Sequence, residues 1–133
     1  MRCPHCASPV VAFRVPETLR EHAPAAEAVI CSRCLRTAPT TRAKTDASGA
    51  TAGTNAPDFS SVDPAFPDGE AGVALALLCG QLDSFALNRA SIEALVAYAE
   101  RAGADVFAFF TRLDAPEAAF DLDRRRAALL DLL

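Results

Sequence analysis

The rhythm of hydrophobic and polar positions divides the chain into three regimes. Between Pro9 and Val15 the residues Val11, Phe13 and Val15 alternate onto one face, and the stretch is rich in β-branched and aromatic side chains. That period of two predicts a strand with one buried side. Pro16 ends it, Glu17 to His22 suits a helical turn before Pro24, and Glu27 to Ile30 predicts a returning strand paired with the first. Over residues 38–67 Thr, Ala, Ser, Gly, Pro and Asn dominate, with little large enough to bury before Phe59 and Phe66. Such a composition does not recover its ordering entropy and predicts a flexible linker, whose distal end Phe59 and Phe66 can anchor.

From Asp68 the period becomes helical. Gly69 to Leu82 is apolar on nearly every face, as expected of a central helix covered by neighbours. Asn88 is a candidate cap for the next helix, in which Ile92, Leu95, Val96 and Ala99 share a stripe and which Gly103 stops. Asp105 to Leu113 places Val106, Phe109, Phe110 and Leu113 on one stripe with Phe107 off it, although its composition leaves a strand open. Beyond Pro116, Asp121 or Asp123 caps a last helix with Leu122, Leu129, Leu130 and Leu133 on one face and Arg124, Arg125 and Arg126 mostly outside it.

The predicted fold class is therefore α+β: a small β module over 1–37, a flexible linker over 38–67, and a small α-helical domain over 68–133. Hydrophobic residues make up 51% of the chain, but Ala supplies much of that, and there is no Trp and one Tyr. A helical unit of this size buries only about 60% of its unfolded surface. A homodimer, with the Phe107, Phe109 and Phe110 surface as a contact face, or docking of the β module would supply the missing burial.

The chemistry is concentrated in two turns, Cys3-Pro4-His5-Cys6 and Cys31-Ser32-Arg33-Cys34. Each offers two sulfurs, and a thiolate-only set of four selects zinc over calcium or magnesium. The two predicted strands would set Cys3 and Cys6 beside Cys31 and Cys34, the geometry of a zinc ribbon holding one structural Zn²⁺. Four protein ligands leave no open position for water, so zinc-catalysed hydrolysis is not expected. No phosphate-cradling glycine loop, Ser/His/Asp set or HExxH occurs. The expectation is a protein that is not an enzyme. A rival reading takes Cys-Pro-His-Cys as the active tetrapeptide of a thiol oxidoreductase, but no strand precedes it and a second CxxC awaits pairing. His5 is expected to face solvent within its turn, His22 to be a surface side chain, and the fifth cysteine, Cys79, to be a small buried hydrophobe.

Charge is uneven. Residues 1–36 carry five arginines against three glutamates, whereas residues 68–133 carry six arginines against eleven acids. Four thiolates on one Zn²⁺ would cancel the first excess. Arg14, Arg33 and Arg36 with Phe13 form the better candidate nucleic-acid patch, since Asp121, Asp123 and Asp131 surround the Arg124 to Arg126 run. The longest apolar stretch, Val73 to Cys79, is far short of the roughly 20 residues that cross a bilayer, and no leader precedes Cys3, so a cytoplasmic protein without membrane partners is expected.

Cys3-Pro4-His5-Cys6, the strand-like Val10 to Pro16, Glu17 to Pro24 and Cys31 to Arg36 together resemble the small CPxCG-related zinc-ribbon proteins of halophilic archaea. Leu82 to Ile92 is similar to the matching stretch of an uncharacterised haloarchaeal family built the same way. The resemblance implies zinc on Cys3, Cys6, Cys31 and Cys34 and no assigned activity. Ala7 stands where that pattern usually has Gly. In molar salt the Debye length falls to about 3 Å, which penalises affinity built on phosphate contacts. The favoured function is an adaptor or regulatory module that binds an unknown protein partner. A nucleic-acid-binding regulator and a thiol redox protein stand as alternatives.

Overall fold

A computed structural model describes residues 3, 6–39, 58–118 and 120–132. Val10–Arg14 forms β1, Glu27–Cys31 forms β2 and Thr37–Pro39 forms β3, in one antiparallel sheet ordered β1-β2-β3. The register pairs Phe13 with Ala28 and Val11 with Ile30 on one face, and Val10 with Cys31 and Ala12 with Val29 on the other. Between β1 and β2 runs the expected turn, a 3₁₀ helix over Glu17–His22 held down by buried Leu19. β2 is central, and Ala28 to Cys31 are all nearly inaccessible. Its Ala28 and Ile30 enter the main core, while Cys31 joins a separate cluster with Cys3 and Cys34.

Among the described residues four α-helices follow: α1 (Gly69–Gln81), α2 (Arg89–Arg101), α3 (Val106–Arg112) and α4 (Leu122–Leu132). Together with the sheet they make the described chain α+β. Among the described residues no helix is long and apolar enough to cross a membrane. Ala71 to Cys79 of α1 are buried without a break, so α1 is wrapped on every side. In α2 the stripe of Ile92, Leu95, Val96 and Ala99 is buried, and Gly103, at φ 103°, turns the chain out while Ala104 N–H bonds back to Ala99 O at 2.9 Å. The segment that left strand and helix open is the helix α3. Asp105 settles it, because its carboxylate accepts the Ala108 N–H at 2.9 Å and so caps the first turn. Asp121, not Asp123, caps α4 by accepting the Arg124 N–H at 3.1 Å.

Several expectations are revised by long-range packing. The expected linker over 38–67 loses both its ends. Ala38 and Pro39 pair with β2, Phe59–Ser61 forms a 3₁₀ turn, and Phe59 and Phe66 are buried. Residues 40–57 lie outside the described residues. Phe59 lies between Phe13 of β1, to which it is tilted, and Phe66, on which it stacks, with ring centroids 5.5 and 5.6 Å away, and Phe66 meets Phe109, which meets Phe110. These rings run from the sheet to α3, and one continuous core holds residues of both regions. Phe109 and Phe110 are therefore core residues, and Phe107 alone of the three is exposed. Asn88 sits at the start of α2 but does not cap it, since its side-chain amide donates to Gln81 O at 3.3 Å. Arg126 is not a free surface cation, because its guanidinium donates to Phe110 O and Leu113 O at the end of α3.

His22 is likewise not a surface side chain. Its Nδ1 lies 3.0 Å from Ser91 Oγ of α2, and its carbonyl accepts from Gln81 Nε2 at 2.6 Å, which pins the β1–β2 turn to the helices. The tightest approach is at Gly80 of α1, where an added Cβ would fall 2.8 Å from Thr37 Cβ of β3 and closer still to its hydroxyl.

Glycine to alanine in a helix ordinarily stabilises by roughly 0.5–1 kcal/mol. At Gly80 the sign should reverse: overpacking against β3 outweighs the helix gain, and Gly80→Ala should destabilise by about 1–3 kcal/mol in urea titration. A neutral or stabilising result would mean that α1 and β3 are not in contact.

Candidate metal centre

The two cysteine turns are built alike. Cys3 N–H bonds to Ser8 O and Cys31 N–H bonds to Arg36 O, each at 2.9 Å and each spanning five residues. The residue after the second cysteine is left-handed in both, Ala7 at φ 61° and Leu35 at φ 65°. Neither is glycine, so each turn holds a conformation that costs an L-residue roughly 1–2 kcal/mol. Leu35 is almost wholly buried in the main core, which offsets that cost, whereas Ala7 is exposed.

The β1–β2 register then sets the turns side by side, with Val10 opposite Cys31. Ser32 fastens them further, its N–H at 3.0 Å and its hydroxyl at 2.8 Å both donating to Pro9 O. The sulfurs of Cys3, Cys6, Cys31 and Cys34 all lie within 4.8 Å of one another and could hold one metal ion. Across the turns Cys3 Sγ is 3.7 Å from Cys34 Sγ, and Cys6 Sγ is 3.3 Å from Cys31 Sγ. Cys31 Sγ also accepts the backbone N–H of Arg33 and of Cys34, both at 3.3 Å, an arrangement that favours the thiolate a metal needs.

Burial and hydrogen bonding pull the thiols apart in acidity. Hydrogen bonds from Ser8 hold Cys6 down at about 6, so it is largely ionised at neutral pH. Burial pushes Cys34 up to about 12 and raises Cys31 in the same direction despite its N–H donors. A cation at the centre would reverse both shifts by offering a charge to the buried sulfurs. Ser8, buried itself, is the residue of this centre that periodicity and spacing did not single out. Its signal was present, since a small polar residue two places beyond a CxxC pair is placed to donate back to it.

Cys79 stays outside the cluster. It is fully buried on α1, and its thiol is pushed up to about 12 first by burial and then by the Asp63 charge. His5 lies outside the described residues, and His22 lies among the helices as described. Of the basic patch, Arg14 pairs with Glu27 at 3.4 Å and Arg33 with Glu117 at 3.7 Å, both at exposed positions.

A family profile matches residues 2–133, and its description is "Family of unknown function (DUF6276)". No curated protein and no solved structure matches the chain.

Two outcomes follow from this geometry. Coordination needs thiolates, so metal uptake at pH 7 should release at least two protons, those of Cys31 and Cys34, and the apparent affinity should rise at least about a hundredfold per pH unit. Calorimetry in buffers of different ionisation enthalpy reads the proton count, and pH-independent uptake would contradict it. Replacing Ala7 by glycine should relieve the left-handed strain and stabilise the metal-loaded chain by about 0.5–1 kcal/mol in thermal melts, whereas a lower melting temperature would show that the turn is not as described.

Proposed function

Because the chain belongs to the DUF6276 family, a family of unknown function, we propose its role from the site's own chemistry: a non-enzymatic, cytoplasmic adaptor or regulatory protein whose N-terminal zinc ribbon carries one structural Zn²⁺ on Cys3, Cys6, Cys31 and Cys34. The observation that carries this reading is the convergence of four sulfurs, two from each of two matched turns. A tetrahedron of Zn–S bonds of about 2.3 Å has edges of about 3.8 Å. The cross-turn separations of 3.3 and 3.7 Å suit such an ion with small adjustments. An all-thiolate donor set favours zinc among common divalent ions, and a closed shell of four gives it a structural task.

The thiol-redox alternative has less support. A CxxC nucleophile of that kind draws its acidity from a helix N-terminus, whereas Cys6 is followed by a turn and then by β1. The nucleic-acid alternative is weakened because Arg14 and Arg33 already face carboxylates, while Arg125 and Arg126 bond to backbone carbonyls. An adaptor role instead draws on exposed apolar side chains, and among the described residues Leu87 at 89% exposure and Phe107 at 57% are the large ones.

Metal removal is the direct test. The purified chain should carry one zinc per molecule. A chelator should lower the melting temperature of the helical circular-dichroism signal by at least about 5 °C, because the ribbon shares its core with α1. Cys34→Ser should do the same. Helices that melt identically with and without metal would refute a structural zinc.

A further inference from the structure

Solvent reaches the four sulfurs unequally. Cys6 is half-buried, whereas Cys3, Cys31 and Cys34 are each at most 5% exposed. A sulfur of the other turn is within easy reach of the exposed one, with Cys31 Sγ 3.3 Å from Cys6 Sγ. Closing that gap to a disulfide length takes an approach of about 1.3 Å. The alternative within the second turn is less ready, because Cys34 is buried and its own N–H is already bonded to Cys31 Sγ.

We propose that Cys6 is an oxidation site, at which a peroxide links Cys6 to Cys31 across the two turns and so expels the ion. This rests on the reading that the four cysteines hold zinc. The Cys6 thiolate attacks one peroxide oxygen, the O–O bond breaks, hydroxide leaves, and Cys6 becomes a sulfenic acid. The Cys31 thiolate then attacks the Cys6 sulfur, the S–O bond breaks, and a second hydroxide leaves. Two thiolates, one peroxide and two protons from solvent yield one disulfide and two waters. Loss of two of the four ligands would release a bound Zn²⁺, whose oxidation state would not change. β1 and β2 are already paired beside the two cysteines, so the crosslink keeps the ribbon closed at the sheet while the outer halves of the turns are freed. Cys3 and Cys34, 3.7 Å apart before the crosslink forms, are placed to follow with a second oxidation. Cys79, fully buried, is out of an oxidant's reach.

The test is to treat the zinc-loaded full chain with one equivalent of hydrogen peroxide, block free thiols, and map disulfides by mass spectrometry of an unreduced digest while a chromogenic chelator follows zinc. The first disulfide should be Cys6–Cys31, appearing in step with one released zinc, with Cys79 recovered as a blocked thiol. Cys6→Ser should slow zinc release at least about tenfold, and Cys79→Ala should leave it unchanged. Should Cys6→Ser fail to hold zinc, the map of the unaltered protein decides. A first disulfide within either CxxC turn, or zinc lost while Cys6 stays reduced, would overturn the proposal. A chain that takes up no zinc would instead count against the metal reading, and the disulfide map of the metal-free chain would still decide the pairing.

Discussion

Two pairs of sulfur atoms, separated by 24 intervening residues, have to arrive at one point, and much of the N-terminal region serves that requirement. Each CxxC turn must double back tightly enough to aim both of its thiols the same way. The chain manages this by accepting a left-handed residue after each, Ala7 and Leu35, where glycine would be unstrained. The strands then act as rulers. Pairing Arg14 with Glu27 through to Val10 with Cys31 leaves no freedom in where the second turn meets the first. A slip of one residue would turn Cys31 into the core and Ile30 out of it.

Alternation along β2 is what joins the metal centre to the rest of the molecule. Successive side chains serve different masters, Ile30 the hydrophobic core and Cys31 the sulfur cluster. Leu35 repeats the device on the following turn, its backbone shaped by the knuckle and its side chain buried against the helices. An Ala-rich chain with few large side chains gains most by pooling them. The phenylalanines from Phe13 to Phe110 and the close seating of Gly80 on Thr37 show that pooling in detail.

Local patterns were the legible part. Paired cysteines at fixed spacing announced a four-sulfur site, and the hydrophobic pattern located β1, β2, α1, α2 and α4, while leaving α3 open between strand and helix. What could not be read was whatever depends on a distant partner. β3 is three residues long and exists because β2 has a second edge to fill. Phe59 and Phe66 are legible as anchors of the linker-like stretch and are buried, but their ring partners Phe13 and Phe109 are not legible. His22 looked like a surface residue because Ser91 and Gln81, which hold it, lie more than fifty positions away. Arg126 pairs with Asp123, one of the acids around its run, but its bonds to the carbonyls at the end of α3 are not legible in the run itself.

X-ray absorption at the zinc edge interrogates the shared point most directly, because it counts and identifies the atoms around the ion. The account predicts a shell of four sulfurs at about 2.3 Å with no nitrogen or oxygen neighbour. A shell containing imidazole, carboxylate or water in place of any sulfur would contradict it.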